Sequence, residues 1–193
     1  DNCGAGFICS LNGKKTNDIV HKALNILTCL EHRGAVSSDG KTGDGAGILI
    51  EIPDEFFRKE CNFELPDPKT YAVGMVFLPQ KINQIQFCVK IFEDEIQKRG
   101  LNVIGWRDVP VNTKVVGKIA ALSQPTIKQV FITYNDKSLS ENEFNTQLFV
   151  ARKIAENKIY KTALSQKNFF YFSSLHNRTL IYKGLLIPVS YTH

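Results

Sequence analysis

No apolar stretch in the sequence approaches the roughly 20 consecutive residues that a helical membrane span requires, and the amino end lacks the basic-then-apolar layout of a secretory signal. Both absences point to a reducing, intracellular setting, with no membrane partner. Cysteine is scarce and unpatterned: Cys3, Cys9, Cys29, Cys61 and Cys88 are odd in number and contain no Cys-x-x-Cys pair, which argues against a disulfide framework. The histidines His21, His32, His176 and His193 do not pair with those cysteines at finger-like spacing, so no metal site is expected. There is no basic block. The 24 Lys and Arg residues are scattered among 19 Asp and Glu for a net charge of +5, which argues against nucleic acid as a partner. Internal repeats, low-complexity tracts and linkers are also missing, so one domain is expected.

With 193 residues, 43% of them hydrophobic and 22% charged, the chain can bury a sizeable core. Its pattern mixes strands and helices. Ala5 to Ser10 is a short apolar strand candidate before a turn at Asn12-Gly13. From about Asp18, Ile19, Ala23, Ile26 and Leu30 fall on one helical face, and Gly34 stands where a helix-ending glycine would, after the dipole-compatible pair His32-Arg33. A glycine-dense loop, Ser37 to Gly47, leads into the apolar segment Ile48 to Ile52 and a helix start at Pro53-Asp54-Glu55. Tyr71 to Leu78, Val103 to Trp106 and Val130 to Tyr134 read as strands. Lys81 to Arg99 reads as an amphipathic helix stopped by Gly100. Ser140-Glu141-Asn142-Glu143 has the form of a capping box opening a helix through about Asn157. The strands Phe169 to Leu175 and Thr179 to Tyr182 are joined by the polar turn His176-Asn177-Arg178. Hairpin-like connections outnumber βαβ crossovers, which favours an α+β fold.

Two segments carry chemistry. A cysteine at position 3 becomes an N-terminal nucleophile if Asp1 and Asn2 are removed, because thiol and free α-amine then share one residue and the amine can serve as base. Taken alone, Cys3-Gly4-Ala5-Gly6-Phe7 fits a packed strand start equally well. The second constellation is Glu31-His32-Arg33-Gly34 followed by Ser38-Asp39-Gly40-Lys41-Thr42-Gly43-Asp44-Gly45-Ala46-Gly47. Gly40-Lys41-Thr42 mimics the end of a phosphate-binding loop, but the glycine needed five residues before Gly40 is Ala35, and a helix precedes the motif where a strand is required. Oxygen ligands also fail to alternate after Asp39 as a calcium loop would demand. What remains is a choice between an active-site wall and a glycine-rich turn whose aspartates tie down local backbone.

Considered together, the opening Cys3-Gly4-Ala5-Gly6-Phe7, the run Leu30-Glu31-His32-Arg33-Gly34-Ala35 and the loop Asp39 to Ile48 resemble the amino-terminal glutaminase domain of glutamate synthase large chains. The resemblance continues through Gly105 to Val111, Gln129 to Ile132 and Ser174 to Gly184, and covers roughly residues 3 to 188. It implies a class II glutamine amidotransferase of the N-terminal nucleophile type: a four-layer αββα sandwich, incomplete at its C-terminus. It implies that Cys3 attacks L-glutamine, that Arg33, Gly34, Asp39, Gly40 and Asp44 line or bind at the site, and that residues 1–2 are a residual propeptide. In a complete parent it implies FMN, an iron–sulfur cluster, the remaining domains of the same chain, and a small subunit or ferredoxin as electron-transfer partner. No cofactor is expected in residues 1–193 themselves. The location implied is cytoplasmic, or the plastid stroma in a photosynthetic eukaryote.

The chain also departs from that family. A His-Ser-Arg-Phe-Ser-Thr-Asn segment and a His-Asn-Gly-Glu-Ile-Asn-Thr segment, which carry the family's substrate-carboxylate arginine and oxyanion Asn-Gly, are not in the sequence. The chain alone is therefore expected to be inactive. Val189 to His193 diverge from the family's continuation and are expected to be a non-native tail. A noncatalytic regulatory or binding module that keeps the fold stands as the alternative.

Overall fold

The computed structural model describes residues 4–136 and 138–185. The chain divides into two compact units. The first comprises Asp1–Leu49, Pro110–Gln124 and Tyr182–His193, and the second Ile50–Val109 and Pro125–Ile181.

The second unit is built on a four-stranded sheet. Strands β2 (Tyr71–Leu78), β3 (Leu101–Asp108), β4 (Thr126–Tyr134) and β5 (Tyr171–His176) lie in the order β3-β4-β2-β5, and every ladder is antiparallel. β2 pairs with β4 without interruption from Tyr71↔Thr133 to Leu78↔Thr126. All residues of β2 but Phe77 are buried, because both faces of this central strand are covered.

On one face Ala72, Val76 and Leu78 pack with helices α3 (Ile82–Gln97) and α5 (Glu141–Tyr160). α3 contributes Ile85, Cys88, Phe92 and Ile96, and α5 contributes Phe144, Leu148, Ala151, Ala155 and Ile159. These spacings of three and four residues place each set on a single helical stripe. The other face carries Tyr71, Met75 and Phe131, with Phe57 of helix α2 (Asp54–Glu60) edge-on to Phe131 at 5.1 Å and Phe63 at 5.2 Å. Gly105 lies where β3 bulges against β4. A Cβ there would stand 2.5 Å from the Phe63 ring, so the ring occupies the place of a side chain.

Polar contacts complete the unit. Glu95 of α3, buried on its side chain, meets Lys98 at 2.8 Å, Arg99 at 3.2 Å and Lys158 of α5 at 2.6 Å. These bonds, that of Lys158 first, hold its pKa at about 2. The Ser140 box forms as expected: its hydroxyl accepts from Glu143 N–H, and the Glu143 carboxylate accepts from Ser140 N–H at 2.9 Å.

The first unit contains helix α1 (Asn17–Cys29), a 3₁₀ turn at Glu31–Arg33 and the five-residue helix α4 (Lys118–Leu122). Strand β1 (Ala46–Glu51) pairs with β6 (Thr179–Gly184) in a two-stranded sheet, of which Ala46–Leu49 and Tyr182–Gly184 belong to this unit. A Cβ on Gly47 would come within 2.9 Å of Tyr182 O, so this ladder needs glycine at that point.

Two local expectations change here. Residues 5–10 are irregular, not a strand. In place of ladder partners, the segment lays glycines on α1: a Cβ on Gly4 would be 2.9 Å from Leu30 Cδ2, and one on Gly6 2.5 Å from Ile26 Cγ2. The helix also stops earlier than its periodicity suggests. α1 ends at Cys29, and Gly34 is extended (φ −102°, ψ 150°) instead of closing the helix in a left-handed conformation. Mixed helices and antiparallel strands nevertheless make the α+β class that the sequence pattern anticipates.

Candidate functional site

The residues singled out by sequence fall in the first unit. Cys3, with Asp1 and Asn2, lies outside the described residues, as does the segment 189–193. Gly4, the first of the described residues, comes close to Leu30, the residue that precedes the Glu31–Arg33 turn. α1 delivers that turn: Leu30 N–H donates to both Ile26 O and Leu27 O at 3.1 Å, and His32 Nδ1–H donates to Cys29 O at 3.0 Å. His32 thus secures the helix end.

Arg33 and Gly34 follow, both exposed. Among the described residues the Arg33 guanidinium makes no ion pair or hydrogen bond. Gly34 has no conformational need to be glycine, since its φ is negative and a Cβ would only reach Glu31 O at 3.7 Å, an ordinary contact. An exposed guanidinium beside an exposed peptide backbone has the chemistry to take a small anionic or amide ligand.

Residues 35–44 form a hairpin beyond them. Its base is closed by Asp44 N–H to Ala35 O at 3.2 Å and Ala35 N–H to the Asp44 carboxylate at 3.0 Å. Val36 bridges Gly43, and Ser37 N–H reaches Thr42 O at 2.8 Å. Gly40 turns the tip at φ 69°, a left-handed position where glycine is the favoured residue. Gly40 and Asp44 thus have turn and closure work of their own.

Asp39 is the most heavily bonded of the predicted residues. One carboxylate oxygen accepts from Lys41 N–H (3.0 Å) and Thr42 N–H (2.8 Å); the other accepts from the Thr42 hydroxyl (2.7 Å) and from Ile119 N–H (3.1 Å). The Thr42 hydroxyl oxygen in turn accepts from Ala120 N–H at 3.2 Å. The Thr42 N–H bond above all, and then the other three donors, hold the Asp39 carboxyl well below the usual carboxylate range.

Ile119 and Ala120 open α4, whose N-cap Gly117 brings no capping side chain. Asp39 and Thr42 supply that cap from about 80 residues away. Sequence reasoning missed Thr42, Gly117, Ile119 and Ala120. The one local signal was an uncapped glycine before the helix-forming run Lys118 to Leu122.

No three His, Cys, Asp or Glu side chains converge as metal ligands among the described residues. Nor is any described helix long and apolar enough to cross a membrane.

The model for glutamine amidotransferases class-II matches residues 3–193. The large chain of the NADPH glutamate synthase of Bacillus subtilis is 46% identical over 97% of this chain, which covers 12% of that protein. The NADH glutamate synthase of Saccharomyces cerevisiae is 42% identical over 97% of this chain, which covers 9% of it. A ferredoxin-dependent glutamate synthase of Arabidopsis thaliana, chloroplastic/mitochondrial, is 38% identical over 95% of this chain and is covered to 11%. The chain thus spans only a small part of the length of these relatives.

Proposed function

Because the chain belongs to the class-II glutamine amidotransferases, we propose that it is the glutamine-hydrolysing part of a glutamate synthase and that Cys3 is its nucleophile. The Cys3 thiolate attacks the side-chain amide carbon of L-glutamine. The thiol proton, taken up by the Cys3 α-amine, passes to the leaving nitrogen, and ammonia departs from a thioester. Water then adds to the thioester carbon, the C–S bond breaks, and glutamate leaves with the thiol restored. An α-amine near pH ~8 and a thiol near ~8.5 exchange a proton almost without cost. An acylated nitrogen has no such basicity, so Asp1 and Asn2 must be removed.

The observation that carries this reading is the exposed Arg33-Gly34 pair, which begins three residues beyond Leu30, the residue on which Gly4, the neighbour of Cys3, packs. In the parent the ammonia would serve reductive amination of 2-oxoglutarate, with electrons from a pyridine nucleotide or ferredoxin. FMN and an iron–sulfur cluster belong, on this reading, to other domains.

The test is mass measurement and glutaminase assay of the full-length parent. The mature protein should begin at Cys3, and Cys3→Ser should abolish glutamine hydrolysis. A protein that keeps Asp1 and Asn2 and still hydrolyses glutamine would rule out the free-amine mechanism. If glutamine is not hydrolysed at all by the processed parent, the chain is a noncatalytic module.

A further inference from the structure

We propose that Asp39 and Thr42 are positioning residues for glutamine hydrolysis: a latch from the 35–44 hairpin to the start of α4 that holds Arg33 and Gly34 in place. The proposal rests on the reading of Arg33-Gly34 as part of the glutamine site.

Two independent features make the latch more than a turn. Among the described residues, the hydrogen bonds tying this hairpin to a distant part of the chain are those from Ile119 N–H to Asp39 and from Ala120 N–H to Thr42. The approach is also sterically committed. A Cβ on Gly117 would stand 2.2 Å from Thr42 Oγ1 and 2.6 Å from Asp39 Oδ2, so the two segments reach their separation only because residue 117 is glycine. Thr42, at 6% exposure, and Ala120, at 7%, are among the few buried residues of a largely open unit.

Position is transmitted along a short path. The hairpin base binds Ala35 by two hydrogen bonds, and Ala35 follows Gly34 directly. With its tip latched and its base closed, the hairpin fixes the exit direction of the chain after Arg33-Gly34. Without the latch, the remaining hairpin bonds are local ones that travel with the loop. Binding geometry suffers when a supporting contact is lost, even where the reacting group itself is untouched.

The test uses the full-length parent with Thr42→Val, which removes the hydroxyl but keeps the shape, and Thr42→Ser, which retains it. Asp39→Asn serves as a second disruption, since it turns an N–H toward a backbone donor. Kinetics of glutamine hydrolysis are compared with the rates at which Cys3 is alkylated by a glutamine-shaped diazoketone and by iodoacetamide. Thr42→Val should raise KM for glutamine about tenfold and slow the diazoketone by a similar factor, the loss expected from one or two hydrogen bonds. Iodoacetamide, which needs no binding site, should react within about twofold of the unaltered protein, and Thr42→Ser should restore KM to that margin. Asp39→Asn should show the same split.

An unchanged KM in both disrupted variants overturns the proposal, as does an equal slowing of both reagents, which would mean general loss of structure. Failure of the underlying reading looks different: Arg33→Ala would leave KM for glutamine unchanged. If Arg33→Ala raises KM while Thr42→Val and Asp39→Asn leave it unchanged, the latch alone is wrong.

Discussion

Phe57, Phe92, Phe131, Phe144 and Phe172 of the second unit have no exposed surface, whereas Phe7, Leu11 and Leu122 of the first stand 90%, 98% and 83% open. The two units are held by different forces. In the second, a sheet covered on both faces removes apolar area from water at about 25 cal/mol per Å². In the first, α1 has no fully buried residue, and the contacts include glycine approaches and the polar latch at Asp39. The predicted site residues that can be placed, Arg33, Gly34, Asp39, Gly40 and Asp44, all belong to the lightly packed first unit. Functional groups commonly sit on such lightly packed segments, where local opening costs least.

The largest break in the comparison should come from Phe131→Ala. Phe131 is buried at the centre of β4 and touches the rings of Phe57, Phe63 and Tyr71. Deleting its ring leaves a cavity that those neighbours cannot fill, so unfolding free energy should fall by about 3–5 kcal/mol. Denaturant titration of the 193-residue chain measures it. A loss near zero would mean that the second unit has no such core.

The same contrast explains what was legible in the sequence. β2, α3 and the Ser140 box carry their structure locally, in a buried run, a three-four stripe and a reciprocal cap, and each is found within about two residues of its expected place. In the first unit the deciding contacts are between residues far apart. Ala5 to Ser10 has strand composition, but Gly4 and Gly6 let it lie on α1, and nothing in the apolar run announces that partner. Asp39 and Thr42 read as loop residues because α4, which they cap, lies about 80 positions away. Arg33 and Gly34 were legible only as part of a longer resemblance, since an exposed arginine and an unforced glycine have no local pattern.

A smaller effect should come from Glu95→Gln, through charge instead of volume. Glu95 titrates at about 2 in the fold against an ordinary 4.5, so its contribution is fully present above about pH 4.5 and disappears as pH falls toward 2. At neutral pH the variant should lose about 1–2 kcal/mol, less than the full shift implies because Lys98 and Lys158 are half exposed. The gap between the two proteins should close on acidification from about pH 5 to pH 2, followed by circular dichroism. A gap that stays constant with pH would assign Glu95 a packing role alone.

The smallest effect sharpens the comparison most. Leu11, at 98% exposure, sits in the turn closed by Gly13 N–H to Ser10 O at 3.1 Å, with Gly13 at φ 64°. Leu11→Ser removes an isobutyl group already in water and substitutes a residue favoured in turns. Stability of the 193-residue chain should therefore change by no more than about 0.5 kcal/mol. The same substitution in the full-length parent then reports on the first unit. A similarly small change there means that Leu11 stays in water in the longer protein. A loss above about 1.5 kcal/mol means that further chain covers this residue, because burying a leucine side chain is worth about 1.5–3 kcal/mol. The difference between two measurements of one substitution thus separates a surface that is open by design from a core that is only half present.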